Sequence, residues 1–406
     1  MIQRHALGEF PAKPHTTFYD ENKKLYMEHC LTRDGFDGPF SILYYKVPPT
    51  DETAVERFSI PGFCPCEAVE GLPLLRRHVK AQDLKTEGDF LDARRTLFVN
   101  DDLHVGMLKP TEVSARFFSN GDGDECYYAF RGGGVVESLM GVLPYRQGDY
   151  VNVPRNVPYR LVPDLPGAEL MVFEGRSEIR IPKQFRNPVG QLLMDAPYSH
   201  RDFRMPQELL AYDEGKHGKA PFSLVVKKED LLTTHEHAHF PYEVVGWDGF
   251  VYPCAFSIHD YQPKTGMIHL PPTIHLTFAG PGFVICSFVP RVVDYHENAI
   301  PCPYGHASVH CDEIILYDAG NFTSRRGIES GSISVHPAGV PHGPHPGAYE
   351  ASVGIHRTNE LAVMCDTFKP LKLTTVAQEI EDGEYHTVWV KKPNSPSATG
   401  ARWDRV

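Results

Sequence analysis

The chain has 406 residues, 41% hydrophobic and 23% charged, a composition that fits an ordinary folded protein with ample core and room for two domains. Its formal net charge of −12 argues against a surface built to grip phosphate backbones or anionic membranes. The 9 cysteines, odd in number and irregularly spaced, argue against a disulfide framework.

Residues 1 to about 60 mix proline and charge with strand candidates such as FSILYYKV. The N-terminal stretch carries no secretory apolar run, and runs such as GFVICSFVP are far short of a membrane span, so a cytoplasmic location is expected. Cys64 and Cys66 form a CPC pair that could be half of a metal site. No second pair completes it, so a turn with two reduced thiols is expected. Helical periodicity is weak: LPLLRRHVKAQDL (72–84) is one candidate, and 182–196 holds a short one broken by Pro188. From about residue 86 the pattern is short strands and turns, as in TLFVND, ECYYAFRGGG, VESLMGVL and DYVNVP. The 34 Gly and 35 Pro scattered between apolar runs agree with a β-rich chain.

Residues 176 to about 240 read as a connecting region containing the strand-like SLVVKK. The alternation His235, His237, His239 would place three imidazoles on one strand face, yet no carboxylate follows at a matching spacing, so a rim or loop cluster is expected. Residues 305–345 hold the densest chemistry. GHASVHCDEIILYDAG carries His306 and Glu313 on a strand closed by Gly320, and GSISVHPAGVPHGPH carries His336 and His342 in a turn-rich run. Two imidazoles and one carboxylate brought together by a hairpin are what a two-His-one-carboxylate iron site requires, with about three positions left for a chelating substrate and dioxygen. On the strand, Glu313, Ile315 and Tyr317 share a face and Asp312 points away.

The spacings recur earlier in the chain. Glu125 stands to Gly132 as Glu313 does to Gly320, and Gly148 to Pro154 as Gly331 does to Pro337. Where the later copy has His306 and His342, the earlier one has Phe118 and Tyr159, so a lobe that keeps the skeleton without the metal ligands is expected.

The two later segments resemble the paired motifs of the cupin superfamily, with Ser308 in place of a second histidine and Pro346 in place of a closing asparagine. More narrowly, the C-terminal half resembles the homogentisate 1,2-dioxygenase family, through VVGWDG, HLPPTI, FVPR, PYGH and PHGP. The resemblance implies an all-β-dominated bicupin: two jelly-roll β-barrel lobes with a few short helices. Its expected divisions are an N-terminal lobe (1–175), a connection (176–240), a catalytic lobe (241–372) and a tail (373–406). It implies Fe(II) on His306, Glu313 and His342, with His269 taking the substrate proton and His336 lining the oxygen side. Tyr304, Ser308, Phe322 and His345 would contact the substrate. Phe322 stands where the family has a tyrosine, and the gap from first histidine to carboxylate is one residue longer. A homo-oligomer acting on a small aromatic molecule and dioxygen is implied too. The same ligand set also serves zinc or manganese isomerases and hydrolases. A non-catalytic barrel would instead plug the site with a fourth donor such as His310 or His345.

Overall fold

The computed structural model describes residues 3–268, 272–322 and 327–389. His269 and the Ser- and Pro-containing tail at 391–406 lie outside the described residues. Among those described there are twenty-seven strands and three short α-helices, so the fold is all-β-dominated. No described helix is long and apolar enough to cross a membrane.

The chain divides into two compact units. One comprises Met1–Cys66, Thr86–Arg95 and Val105–Ser257; the other comprises Glu67–Lys85, Thr96–His104 and Ile258–Val406. Within the first, a seven-stranded sheet holds Gly141–Tyr145, Gly134–Ser138, Tyr159–Pro163, Phe117–Asn120, Phe222–Lys228, Leu231–His237 and Glu52–Phe58, in that order. A run of five further strands follows the order Phe203–Arg204, Cys254–Ser257, Asp149–Val153, Glu125–Arg131 and Glu169–Gly175. Apolar residues in these strands, such as Leu170, Met171, Val172 and Phe173, are fully buried, as a continuous apolar run bounded by turns requires.

Residues 176–240 do more than connect. Phe222–Lys228 and Leu231–His237 form an antiparallel hairpin within the first unit. Its two-residue turn, Glu229 and Asp230, takes φ of 53° and 55°, the left-handed pair that suits the strands' twist. The Asp122 carboxylate accepts both turn N–H groups, at 2.7 and 3.1 Å, and holds that conformation. Val244–Gly249, expected in the second lobe, pairs with His5–Gly8 and Phe40–Tyr45 in the first unit.

The second unit is built on a six-stranded sheet in the order Leu276–Gly280, Phe283–Phe288, Leu361–Thr367, Asp312–Ala319, Ser332–His336 and Arg77–Lys80. The helix expected over 72–84 is therefore corrected: Arg77–Lys80 is an edge strand, followed by a single 3-10 turn at Ala81–Asp83. Four backbone pairs with Ser332–His336 and the complete burial of Val79 outweigh the helical spacing of its leucines. In 182–196 only one 3-10 turn forms, Lys183–Phe185.

The repeat is visible as equal register inside each unit. Glu125 pairs opposite Val153, and Glu313 opposite His336, each partner directly preceding the turn proline. Phe118 bridges Tyr159 as His306 bridges His342. Gly132, Gly148, Gly320 and Gly331 all take positive φ, from 71° to 91°, so the turns need the residue that tolerates that region.

Candidate metal centre

Glu313 and His336 face each other across adjacent strands, and Asp366 lies opposite Glu313 on the other side. Directly paired residues project to one face of a sheet, so the register sets these three side chains in a row. The PHGP turn then returns His342 to the same place. His306 N–H donates to the His342 carbonyl at 2.8 Å and His342 N–H to the His306 carbonyl at 2.7 Å, a two-bond clasp. One ligand atom each from His306, Glu313 and His342 lies within 4.8 Å of the others.

Both imidazoles are fixed by backbone. Nδ1 of His306 lies 3.1 Å from the Tyr304 carbonyl, and Nδ1 of His342 lies 3.1 Å from the Val340 carbonyl. With Nδ1 protonated and donating, Nε2 is the nitrogen turned to a ligand, and at His342 it lies 3.8 Å from Glu313 Oε1. His336 is fully buried. Its Nδ1 lies 2.5 Å from Glu313 Oε1 and its ring stacks on His342 at 4.5 Å between centroids. It therefore positions the carboxylate and one imidazole at once.

Asp366 was not apparent from sequence. Burial, together with the neighbouring Glu313 carboxylate, pushes its carboxyl up to about 7. A divalent cation among these groups would relieve that crowding, so the donor set fits a metal in chemistry as well as spacing. The signal available was an acid inside the apolar run LAVMCDT. Asp312 points away, as alternation requires, and accepts from Ala338 N–H and Leu371 N–H, both at 2.7 Å. It thereby braces the turn that presents His342.

The remaining expected residues are placed as follows. The Tyr304 ring is exposed and meets His306 edge-on at 6.2 Å. The Ser308 hydroxyl accepts from Cys311 N–H at 3.2 Å, and its carbonyl accepts from Gly339 N–H at 2.9 Å. Phe322 packs against Tyr317, four residues along the strand from Glu313. His345 is buried against Trp389 and Tyr385, and His310 is exposed; neither belongs to the three-residue group. Cys64 and Cys66 are free thiols, Cys64 donating to the Asp230 carbonyl at 2.9 Å, so the CPC pair acts as a turn. His235 faces Glu52 at 3.2 Å and His239 faces Asp51 at 3.7 Å. They are separate surface pairs.

In the first unit the equivalent place is filled by side chains. Arg94 donates to Glu125 at 2.5 Å, to Glu174 at 2.7 Å and to the Tyr127 hydroxyl at 3.2 Å. Tyr159, standing where the second unit has His342, donates to Glu125 at 2.5 Å. Glu174 pairs with Glu125 in register as Asp366 does with Glu313, and Lys227 also contacts Glu174. Burial works against the charge on Arg94, but Glu125, Tyr127 and Glu174 outweigh it and its pKa is raised. A guanidinium sits where the other unit gathers metal-type donors.

With that geometry in place, comparisons with known proteins are informative. The sequence model described as Homogentisate 1,2-dioxygenase N-terminal matches residues 94–258. A candidate dioxygenase of Saccharolobus solfataricus is 37% identical over 393 residues, 96% of this chain and 99% of that protein. The homogentisate 1,2-dioxygenase of Nitrobacter hamburgensis is 25% identical over 288 residues, spanning 68% of this chain and 62% of its own. Among solved structures, a cupin 2 conserved barrel domain protein from Leptotrichia buccalis covers 76% of this chain at 10% identity and a TM-score of 0.30. On the strength of the sequence relatives, the chain belongs to the homogentisate 1,2-dioxygenase family.

Proposed function

We propose that the chain is a dioxygenase that cleaves the ring of homogentisate, or of a closely related para-hydroquinone with an acidic side chain, using Fe(II) held by His306, Glu313 and His342. The observation that carries this reading is the approach of those three donor atoms to within 4.8 Å, in a member of a family whose relatives are named as dioxygenases. The ferrous ion supplies the redox chemistry by which an electron-rich ring and dioxygen react.

The protein's own residues supply placement and protons. His336 holds the Glu313 carboxylate and the His342 ring, so it acts on the reaction as a positioning residue and borders the oxygen side. His269 accepts the phenolic proton, a task suited to a neutral imidazole near pH 7. Tyr304 and His345 wall the approach, Phe322 takes the family's tyrosine position, and Ser308 shapes the turn behind the ligands. The reading also carries a cytoplasmic homo-oligomer whose partners are a small aromatic molecule and dioxygen, without nucleic acid or membrane.

Anaerobic reconstitution with Fe(II), followed by oxygen uptake against homogentisate, gentisate and related hydroquinones, tests the proposal. Uptake in equal amounts with ring-opened product is expected, and His342→Ala should lose both iron and uptake. Turnover without oxygen consumption, or with zinc alone, would make the chain an isomerase or hydrolase instead.

A further inference from the structure

We infer that Arg76 receives the carboxylate of the substrate in a cleft that shares His342 with the candidate metal centre. This rests on the reading above, that the substrate is an acidic aromatic. The cleft has a volume of about 420 Å³, and its lining includes Arg76, His342, His345, Tyr349, Glu350 and Trp389. That volume falls in the range of small-molecule sites.

The sheet register brings Arg76 there. Arg77 pairs with Val335, so position 76 falls alongside His336, one step from the Glu313 row. Contacts to the neighbouring turn and to an aromatic ring help hold the guanidinium. Its Nε donates to the Pro341 carbonyl at 2.9 Å, in the residue before His342, and its Cζ lies over the Trp389 ring at 4.4 Å from the centroid. Trp389 is itself wedged against His345 at 4.4 Å and Tyr385 at 5.4 Å. A half-buried guanidinium of fixed charge, held over an aromatic ring, is placed to meet the planar fork of a carboxylate. Among the described lining residues it is the permanent cation, and the exposed Glu350 disfavours an anion at its own position. Together they bias an acidic ligand toward the Arg76 side. A carboxylate offers about four acceptor sites over two oxygens, so accepting from Arg76 leaves it able to meet other groups.

The test is binding to the whole protein under nitrogen, with and without Fe(II). Calorimetry would compare homogentisate with 2-(2-hydroxyethyl)hydroquinone, which keeps the ring and replaces the acid with an alcohol. Arg76→Gln should weaken homogentisate by about 10- to 100-fold and leave the alcohol within about 2-fold, the size expected for charge-assisted hydrogen bonds. Arg76→Lys should recover part of the loss, because it keeps the charge without the fork. Glu350→Gln, a change at an exposed side chain that should not disturb folding, should tighten the acid and not the alcohol. Equal weakening of both compounds by Arg76→Gln would assign the residue to the turn alone and overturn the inference. So would unchanged acid binding in Arg76→Gln while the wild type consumes oxygen, and that result leaves the dioxygenase reading standing. If the wild type binds neither compound and consumes no oxygen, the parent reading falls and this inference falls with it.

Discussion

Side chains at a few matching positions separate the two copies of the repeat in chemistry. In the first unit Arg94 supplies the positive charge that two buried carboxylates, Glu125 and Glu174, require. Because the guanidinium is part of the chain, Arg94, with Lys227 on Glu174, meets the two carboxylates with charge that the fold itself provides. In the second unit Glu313 and Asp366 stand in the matching register, and the imidazoles of His306 and His342 replace Phe118 and Tyr159. Removing one partner of a buried ion pair strands the other, so Arg94→Met should cost about 3–5 kcal/mol in unfolding free energy. Urea denaturation of the variant checks it, and a loss below 1 kcal/mol would mean the carboxylates find compensation elsewhere.

At the scale of the element, a hairpin of fixed register turns a spacing in sequence into a row of functional groups. The Asp312–Ala319 strand places Glu313 beside His336, and Gly320 then lets the chain leave the sheet at φ +91°. A Cβ added there would lie 2.1 Å from the Asn359 carbonyl oxygen. Gly320→Ala therefore meets both a disfavoured backbone region and a steric clash with main chain. A loss of about 1–3 kcal/mol is expected, read as a lower thermal midpoint, with reduced iron retention as the strand end shifts. The hairpin and its glycines were legible in the sequence, because turn chemistry is local. The Arg77–Lys80 strand was not: its spacing suits a helix, and only pairing with a segment some 250 residues away makes it an edge strand. That displacement is why Arg76 escaped notice as a neighbour of the centre.

Across the whole molecule, burial sets how stability answers to acid. His29, His78, His237 and His275 all have their pKa lowered, in each case chiefly by burial, which penalises the charged ring. A lowered folded pKa means the unfolded chain binds the proton first. The stabilisation is therefore complete above the ordinary imidazole value of about 6.5 and is lost as pH falls below it. Asp366, raised to about 7, works in the opposite sense in the metal-free protein, so the test is differential. His78→Gln should flatten the fall of the urea midpoint between pH 7.5 and 5.5 relative to the parent. An unchanged slope would mean that His78 is already protonated in the fold.

The sequence by itself determined the strand-rich class, the doubled skeleton, and the identity and order of His306, Glu313 and His342, because each rests on residue type and local spacing. It could not determine Asp366, Arg94 or Arg76, which matter only through partners far along the chain. Nor could it show that Phe222–Lys228 and Leu231–His237, inside the expected connection, belong to the first unit's sheet. Those were decided by tertiary structure, since backbone pairing and burial choose neighbours by register and packing, which no local pattern encodes.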